Sequence, residues 1–241
     1  IAQILLRSRL VNNNKINFAI IGTNKITHQL LETASNYKQF NLSAVYSRQQ
    51  STADSFAEQY QAKYRFTSIN ELAKCAAVDA VYIASPHNSH YEYIKKCLDA
   101  NKHVLCEKPM TLKVDQTEEL LKIADAKKLI LLEAVKTAFC NGFSKLVSFA
   151  KGGIIGKVIQ IDASFTKMIF DKDSREFKIE YAGGSHNELM TYPLLVACKI
   201  LGRDGESRIN TRFKNTSEVD GYANITLEYT SSIANLSVGI G

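Results

Sequence analysis

The chain has 241 residues, enough for one large or two modest domains at about 150 residues each. Apolar residues make up 45% and charged residues 22%, with only 3 Pro and 12 Gly, which excludes disorder, collagen and low-complexity linkers. The net charge of +6 comes from scattered Lys and Arg, whose tight pairs are Lys95-Lys96 and Lys127-Lys128. Such pairs on helix surfaces form a solvated face and give no reason to expect a nucleic-acid partner.

Residues 1–14 read as an N-terminal arm in which Ile1, Ile4 and Leu5 suit a short amphipathic helix before Asn12-Asn13-Asn14. From Lys15 the chain alternates β-rich runs with helical periodicity, the pattern of a parallel sheet covered by helices. Strands are predicted over 16–21, 42–46, 79–84, 102–106 and 129–132. Between them lie a helix with Ile26, Leu30, Leu31 and Ala34 on one face, a helix over 52–60, and a short helix from Ser68 whose Ser68 and Glu71 suit a capping box. A helix placing His90, Ile94, Cys97 and Leu98 together and another over 114–127 complete a doubly wound nucleotide-binding domain over 15–136.

The pattern then changes to a helix over 139–150, a Gly152-Gly156 turn, a long strand over 157–169, a helix over 185–200 and strands near 207–215, 219–229 and 233–240. The fold class is therefore α/β: an N-terminal Rossmann doubly wound parallel sheet, then over 137–241 an α+β substrate or dimerisation domain with a largely antiparallel open sheet. Glu228 to Ile233 is short of turn residues for a hairpin, and the last strand runs to Gly241, so the chain is expected to be incomplete at its C-terminus and at internal loops. The five cysteines, Cys75, Cys97, Cys106, Cys140 and Cys198, are odd in number and widely spaced, as in a reduced cytoplasmic protein with cysteines in its core. No run approaches the roughly 18 apolar residues of a membrane span.

The first chemical signal is Ile21-Gly22-Thr23-Asn24-Lys25-Ile26-Thr27, between the first strand and helix, where a pyrophosphate rests on helix N–H groups. Of G-x-G-x-x-G only the first glycine remains. Asn24 takes the second position, and among non-glycine residues Asn tolerates a left-handed backbone well. Thr27 takes the third. Where an NAD-binding domain places an acid on the adenosine ribose, Phe40 to Ser51 holds none, and Ser47-Arg48 stand there instead. A guanidinium pairs with a 2′-phosphate that a carboxylate would repel, which favours NADP(H), with NAD(H) as the alternative.

The third signal is Ser85-Pro86-His87-Asn88-Ser89-His90 after one strand and Glu107-Lys108-Pro109 after the next. With Lys102-His103-Val104, Glu133-Ala134, Gly153-x-Ile155-Gly156, Gly183-Gly184 and Tyr192-Pro193, these runs resemble the Gfo/Idh/MocA oxidoreductases over residues 16–241. The subgroup they resemble is that of dihydrodiol and xylose dehydrogenases. The resemblance implies a hydride transfer between nicotinamide and the carbinol or carbonyl carbon of a sugar, polyol or diol. It makes Lys108 and Tyr192 catalytic, and Glu188 and His186 substrate-binding. The cofactor set it implies is Gly22, Thr23, Asn24, Ile26, Ser47, Arg48, Ser85, Pro86, His90, Glu107 and Lys108. His87 departs from the family's usual Asn, and Glu188 stands where Asp is common. Pro193 should kink or restart its helix.

A lysine ammonium beside a phenol favours phenolate, lowering its pKa from about 10 and fitting the pair for proton exchange. Tyr91-x-x-x-Lys95 mimics a short-chain dehydrogenase pair but sits too early, and His87 with His90 lacks a third ligand for zinc, so no metal is expected. Expected partners are a small-molecule substrate and, through the C-terminal sheet, a second subunit in a homodimer or higher oligomer; no membrane partner is expected. The alternative is a non-catalytic NADP-binding sensor or regulator of the same fold.

Overall fold

The computed structural model describes residues 15–214 and 218–241, so the arm predicted over 1–14 lies outside the described residues. The chain forms two compact units, one ending at Ala134 and the other spanning Val135–Gly241.

In the first unit, β1 (Ile16–Ile21), α1 (Lys25–Ala34), β2 (Phe40–Tyr46), α2 (Gln50–Gln59), β3 (Tyr64–Phe66) and α3 (Ile69–Lys74) form one half. The other half is β4 (Ala80–Ile83), α4 (His87–Asp99), β5 (His103–Cys106), α5 (Val114–Ala126) and β6 (Leu131–Glu133). The strands make one six-stranded parallel sheet in the order β3-β2-β1-β4-β5-β6. This is the Rossmann order, which reverses between β1 and β4.

Helices cover both faces, so successive central residues of the strands are apolar on both sides of the sheet rather than alternately apolar and polar. Ala19, Ile21, Ala44, Tyr46, Val81, Ile83, Val104 and Cys106 enter one core cluster. Their neighbours Ile20, Val45, Tyr82 and Leu105 enter the other. Ile94, Cys97 and Leu98 are fully buried on α4, as their spacing requires, and each large aliphatic contributes about 1.5–3 kcal/mol of burial. Ser68 Oγ accepts from Glu71 N at 3.4 Å, the forward half of the capping box.

In the second unit, a 3₁₀ turn (Lys136–Phe139) precedes α6 (Asn141–Lys151). Then come β7 (Gln160–Lys167), 3₁₀ turns at Arg175–Phe177 and Ile179–Tyr181, α7 (Ser185–Leu189), α8 (Thr191–Ile200), β8 (Glu206–Lys214), β9 (Asp220–Tyr229) and β10 (Ser232–Ile240). The sheet order is β7-β10-β9-β8, antiparallel except for the parallel pair β7–β10. Ala223, Ile225 and Leu227 of β9 and Ala234, Leu236, Val238 and Ile240 of β10 alternate into the core beneath Leu189, Met190 and Ala197.

Three expectations are corrected. The predicted helix over 185–200 is two helices meeting at Met190, because Pro193 has no N–H to give to the Leu189 carbonyl. The β9–β10 connection is a tight hairpin after all: Tyr229 pairs with Ser232 across Thr230-Ser231, with no positive φ at either turn residue. The cysteines are not all in the core. Cys97 and Cys106 are buried, but Cys198 is exposed, and so is Cys140, because α6 begins at Asn141 and leaves it outside the helix. Among the described residues no helix is long and apolar enough to cross a membrane.

Candidate dinucleotide site and catalytic residues

Because the first sheet is parallel, the loops after β1, β2, β4, β5 and β6 all leave it at the carboxyl edge, where dinucleotides bind at a strand-order reversal. The topology thus gathers Gly22, Thr23, Asn24, Ser47, Arg48, Ser85, Pro86, Glu107 and Lys108 along one edge. Gly22 has φ +101°, and a Cβ there would collide with the Ala84 carbonyl, so the β1 and β4 loops approach as only glycine permits.

Asn24 works differently from its expected role. Its φ of −89° and ψ of 178° are extended, not left-handed, and the left-handed residue of the loop is Gly22 itself. Asn24 is the N-cap of α1: its Oδ1 accepts from Ile26 N at 3.0 Å and Thr27 N at 3.3 Å, while its Nδ2 donates to Ala84 O at 2.6 Å. The Ile26 N–H is therefore committed within the loop, and the Ile26 side chain packs on the core. Thr27 is fully buried and its hydroxyl donates to Gly22 O at 2.8 Å, which explains a third loop position without glycine. The N–H groups of Asn24 and Lys25 find no acceptor among the described residues and remain as donors suited to a pyrophosphate.

Arg48 is exposed just beyond β2, with no acid in its loop, and Ser47 Oγ accepts from Gln49 N at 3.4 Å. His90 is fully buried, its Nε2 2.8 Å from Ser85 O and its Nδ1 2.8 Å from Pro109 O. One imidazole therefore ties the β4 loop to the loop carrying Lys108. His87, the first residue of α4, lies with its ring 5.7 Å from that of His90. Glu107 accepts from the buried Tyr82 hydroxyl at 2.8 Å, and burial first, then the Glu107 charge, pushes the Tyr82 phenol far up.

In the second unit, Tyr192 is the second residue of α8, its ring 4.9 Å from Phe165 of β7. Glu188 is buried in α7 with Arg175 Nη1 at 3.3 Å. His186 Nδ1 is buried without a hydrogen-bond partner among the described residues. Burial pulls the His186 imidazole down and Arg212 adds to this, against the charge of Asp220.

Asp220, which sequence reasoning missed, holds the start of α7: its Oδ2 accepts from Ser185 Oγ at 2.6 Å and His186 N at 2.7 Å. Glu176 was missed as well. Its carbonyl accepts from Gly184 N at 2.8 Å and its carboxylate binds Lys167 Nζ at 2.9 Å. Neither residue had a signal in the sequence: Asp220 reaches a helix start 34 or more residues away, and Glu176 acts from an irregular turn without a periodic pattern.

The fold and the glycine-gated loop edge define a dinucleotide-binding Rossmann domain. The family model for the oxidoreductase family GFO_IDH_MocA, NAD-binding Rossmann fold, matches residues 16–135. The chain is 35% identical over 221 residues to scyllo-inositol 2-dehydrogenase (NADP(+)) IolU of Bacillus subtilis, covering 89% of this chain and 66% of that protein. It is 30% identical over 190 residues to D-xylose 1-dehydrogenase (NADP(+)) of Hypocrea jecorina, covering 74% and 46%. Among solved structures, KijD10, a 3-ketoreductase from Actinomadura kijaniata in complex with NADP and TDP-benzene, superimposes with a TM-score of 0.88 at 26% identity, covering 94% of this chain and 70% of that one. The chain thus spans about two thirds or less of these curated relatives and belongs to the Gfo/Idh/MocA oxidoreductase family.

Proposed function

We propose that the chain carries an NADP(H)-preferring dehydrogenase or reductase that acts on the carbinol or carbonyl carbon of a sugar, polyol or diol. The observation that carries this reading is the loop edge of the first unit. There Gly22 lies against Ala84, Arg48 replaces the ribose-binding acid, and His90 ties Ser85 to the Glu107-Lys108-Pro109 loop. NADP stands in the names of both curated relatives and in the complex of the solved neighbour.

When bound, the nicotinamide supplies or accepts the hydride. Asn24 and Lys25 N–H groups would receive the pyrophosphate, and Arg48 with Ser47 the adenosine 2′-phosphate. Lys108 would hold the substrate oxygen, and Tyr192 would take the hydroxyl proton in oxidation and return it in reduction. Glu188 and His186 orient the substrate, the latter as a neutral imidazole at pH 7. The second unit's sheet is proposed to pair with a second copy, its aromatic corner of Phe213 against Tyr222 being the exposed apolar feature suited to this.

The test is nicotinamide fluorescence on titration with NADPH and NADH, followed by turnover of scyllo-inositol, D-xylose and a trans-dihydrodiol with NADP+. Tighter NADPH binding with turnover of a polyhydroxy substrate is the expected result. Tight NADPH binding without turnover of any alcohol or carbonyl would overturn the enzyme in favour of a cofactor sensor.

A further inference from the structure

Glu133 takes no part in the chemistry proposed above, yet it grips the chain beside Lys108. It ends β6 in register with Cys106 of β5, and Ala134 N donates to Cys106 O at 2.7 Å, which fixes the two strand ends against each other. From there the Glu133 carboxylate reaches across and accepts from Met110 N at 2.7 Å, two residues beyond Lys108. His90 Nδ1 lies 2.8 Å from the intervening Pro109 carbonyl. Lys108 therefore stands on a three-residue loop whose carbonyl and N–H are both taken by buried or half-buried side chains.

The charged and titratable groups around Glu133 are few. Among the described residues, the Lys108 ammonium is the cation that acts on it, Glu107 precedes that lysine, and the Cys106 thiol lies on the adjoining strand with the Tyr82 hydroxyl on Glu107. Burial pushes the Glu133 carboxyl up, the Met110 N–H and the Lys108 ammonium pull it back, and Glu107 adds to the rise. The net effect is upward, with that N–H and that ammonium opposing the rise.

We propose that Glu133 is a positioning residue for Lys108: its carboxylate fixes the Lys108–Met110 backbone through the Met110 N–H and supplies the negative charge against which the Lys108 ammonium is held. The proposal rests on the reading of Lys108 as the proton-handling lysine, and its test separates the two. Competitive acetylation with acetic anhydride across pH, read by peptide mass spectrometry, gives the titration midpoint of Lys108 with exposed Lys122 as internal reference.

Glu133→Gln keeps an oxygen for Met110 N and removes the charge, so the Lys108 midpoint should fall by about one unit while Lys122 stays. Glu133→Asp keeps the charge and should shift it less. Glu133→Met removes the acceptor as well, and amide exchange at Met110 should then quicken by tenfold or more while the Gln variant retains protection. An unchanged Lys108 midpoint in the Gln variant overturns the proposal, and that near-isosteric variant answers the question even if the Met variant fails to fold. A shifted midpoint together with full turnover by Lys108→Met would sustain the proposal and overturn the catalytic reading of Lys108.

Discussion

Asn24 condenses the way a single side chain can replace what a glycine motif does. Its carboxamide satisfies two N–H groups of α1 and ties the loop to Ala84, so the loop is held by side-chain hydrogen bonds rather than by backbone freedom. Valine adopts φ −89° and ψ 178° without strain. Asn24→Val and Asn24→Ala should therefore lose similar stability, about 1 kcal/mol for the cap alone, and Asn24→Ser should retain much of it. Urea denaturation checks this, and a valine variant far worse than alanine would restore a left-handed requirement.

The role proposed for Arg48 is one of charge instead. Arg48→Ala should weaken NADPH binding about tenfold, the loss of one charge-assisted hydrogen-bonded contact, and leave NADH nearly unchanged. Fluorescence titration of the two cofactors reads the ratio directly. A preserved preference for NADPH in the alanine variant would mean that the 2′-phosphate is recognised elsewhere.

At the scale of elements, the segment Ser174–Phe177 shows how a short turn holds a helix start. Glu176 lends its carbonyl to Gly184 N and its carboxylate to Lys167 and Ser174. Burial alone would raise that carboxyl, but these partners hold it down to about 2. A folded value below the unfolded one adds stability that is complete above the unfolded value near 4.5 and is lost as pH falls through about 2. Glu176→Gln should therefore melt earlier than wild type at neutral pH, and the difference should shrink between about pH 4.5 and 2. A gap between the melting curves that stays constant with pH would show that the charge contributes nothing.

The elements legible in the sequence were those with a period. Largely apolar runs marked β1, β2, β4 and β5 because helices cover both faces, and the 3.6-residue pattern marked α1 and α4. β3 was not legible: Tyr64–Phe66 is three residues long and pairs only with β2, so no alternation can develop. The break at Met190 was foreseeable from Pro193, but its position was not. In the candidate site, Gly22, Arg48 and Lys108 stood out by motif. Asp220, Glu176 and the grip of Glu133 on Met110 did not, because each depends on strands brought together 20 or more residues apart or on a turn bound back to a helix start.

At the scale of the molecule, the two proposed catalytic groups belong to different units, Lys108 to the first and Tyr192 to the second, and kinetics can ask whether they work as one. If the ammonium is what makes the phenol a competent base, removing it leaves Tyr192 protonated, and removing the phenol leaves the ammonium nothing to activate. Lys108→Met and Tyr192→Phe keep approximate volume, so each should cost about 100-fold or more in kcat without disturbing NADPH affinity, for which the proposed contacts lie on the β1 and β2 loops. The double variant should then be little slower than either single one, whereas independent roles would give losses that add in free energy. Should Tyr192→Phe keep wild-type turnover, the proton must pass through another group, and His186, neutral at pH 7 with its Nδ1 lacking a partner among the described residues, becomes the next side chain to replace.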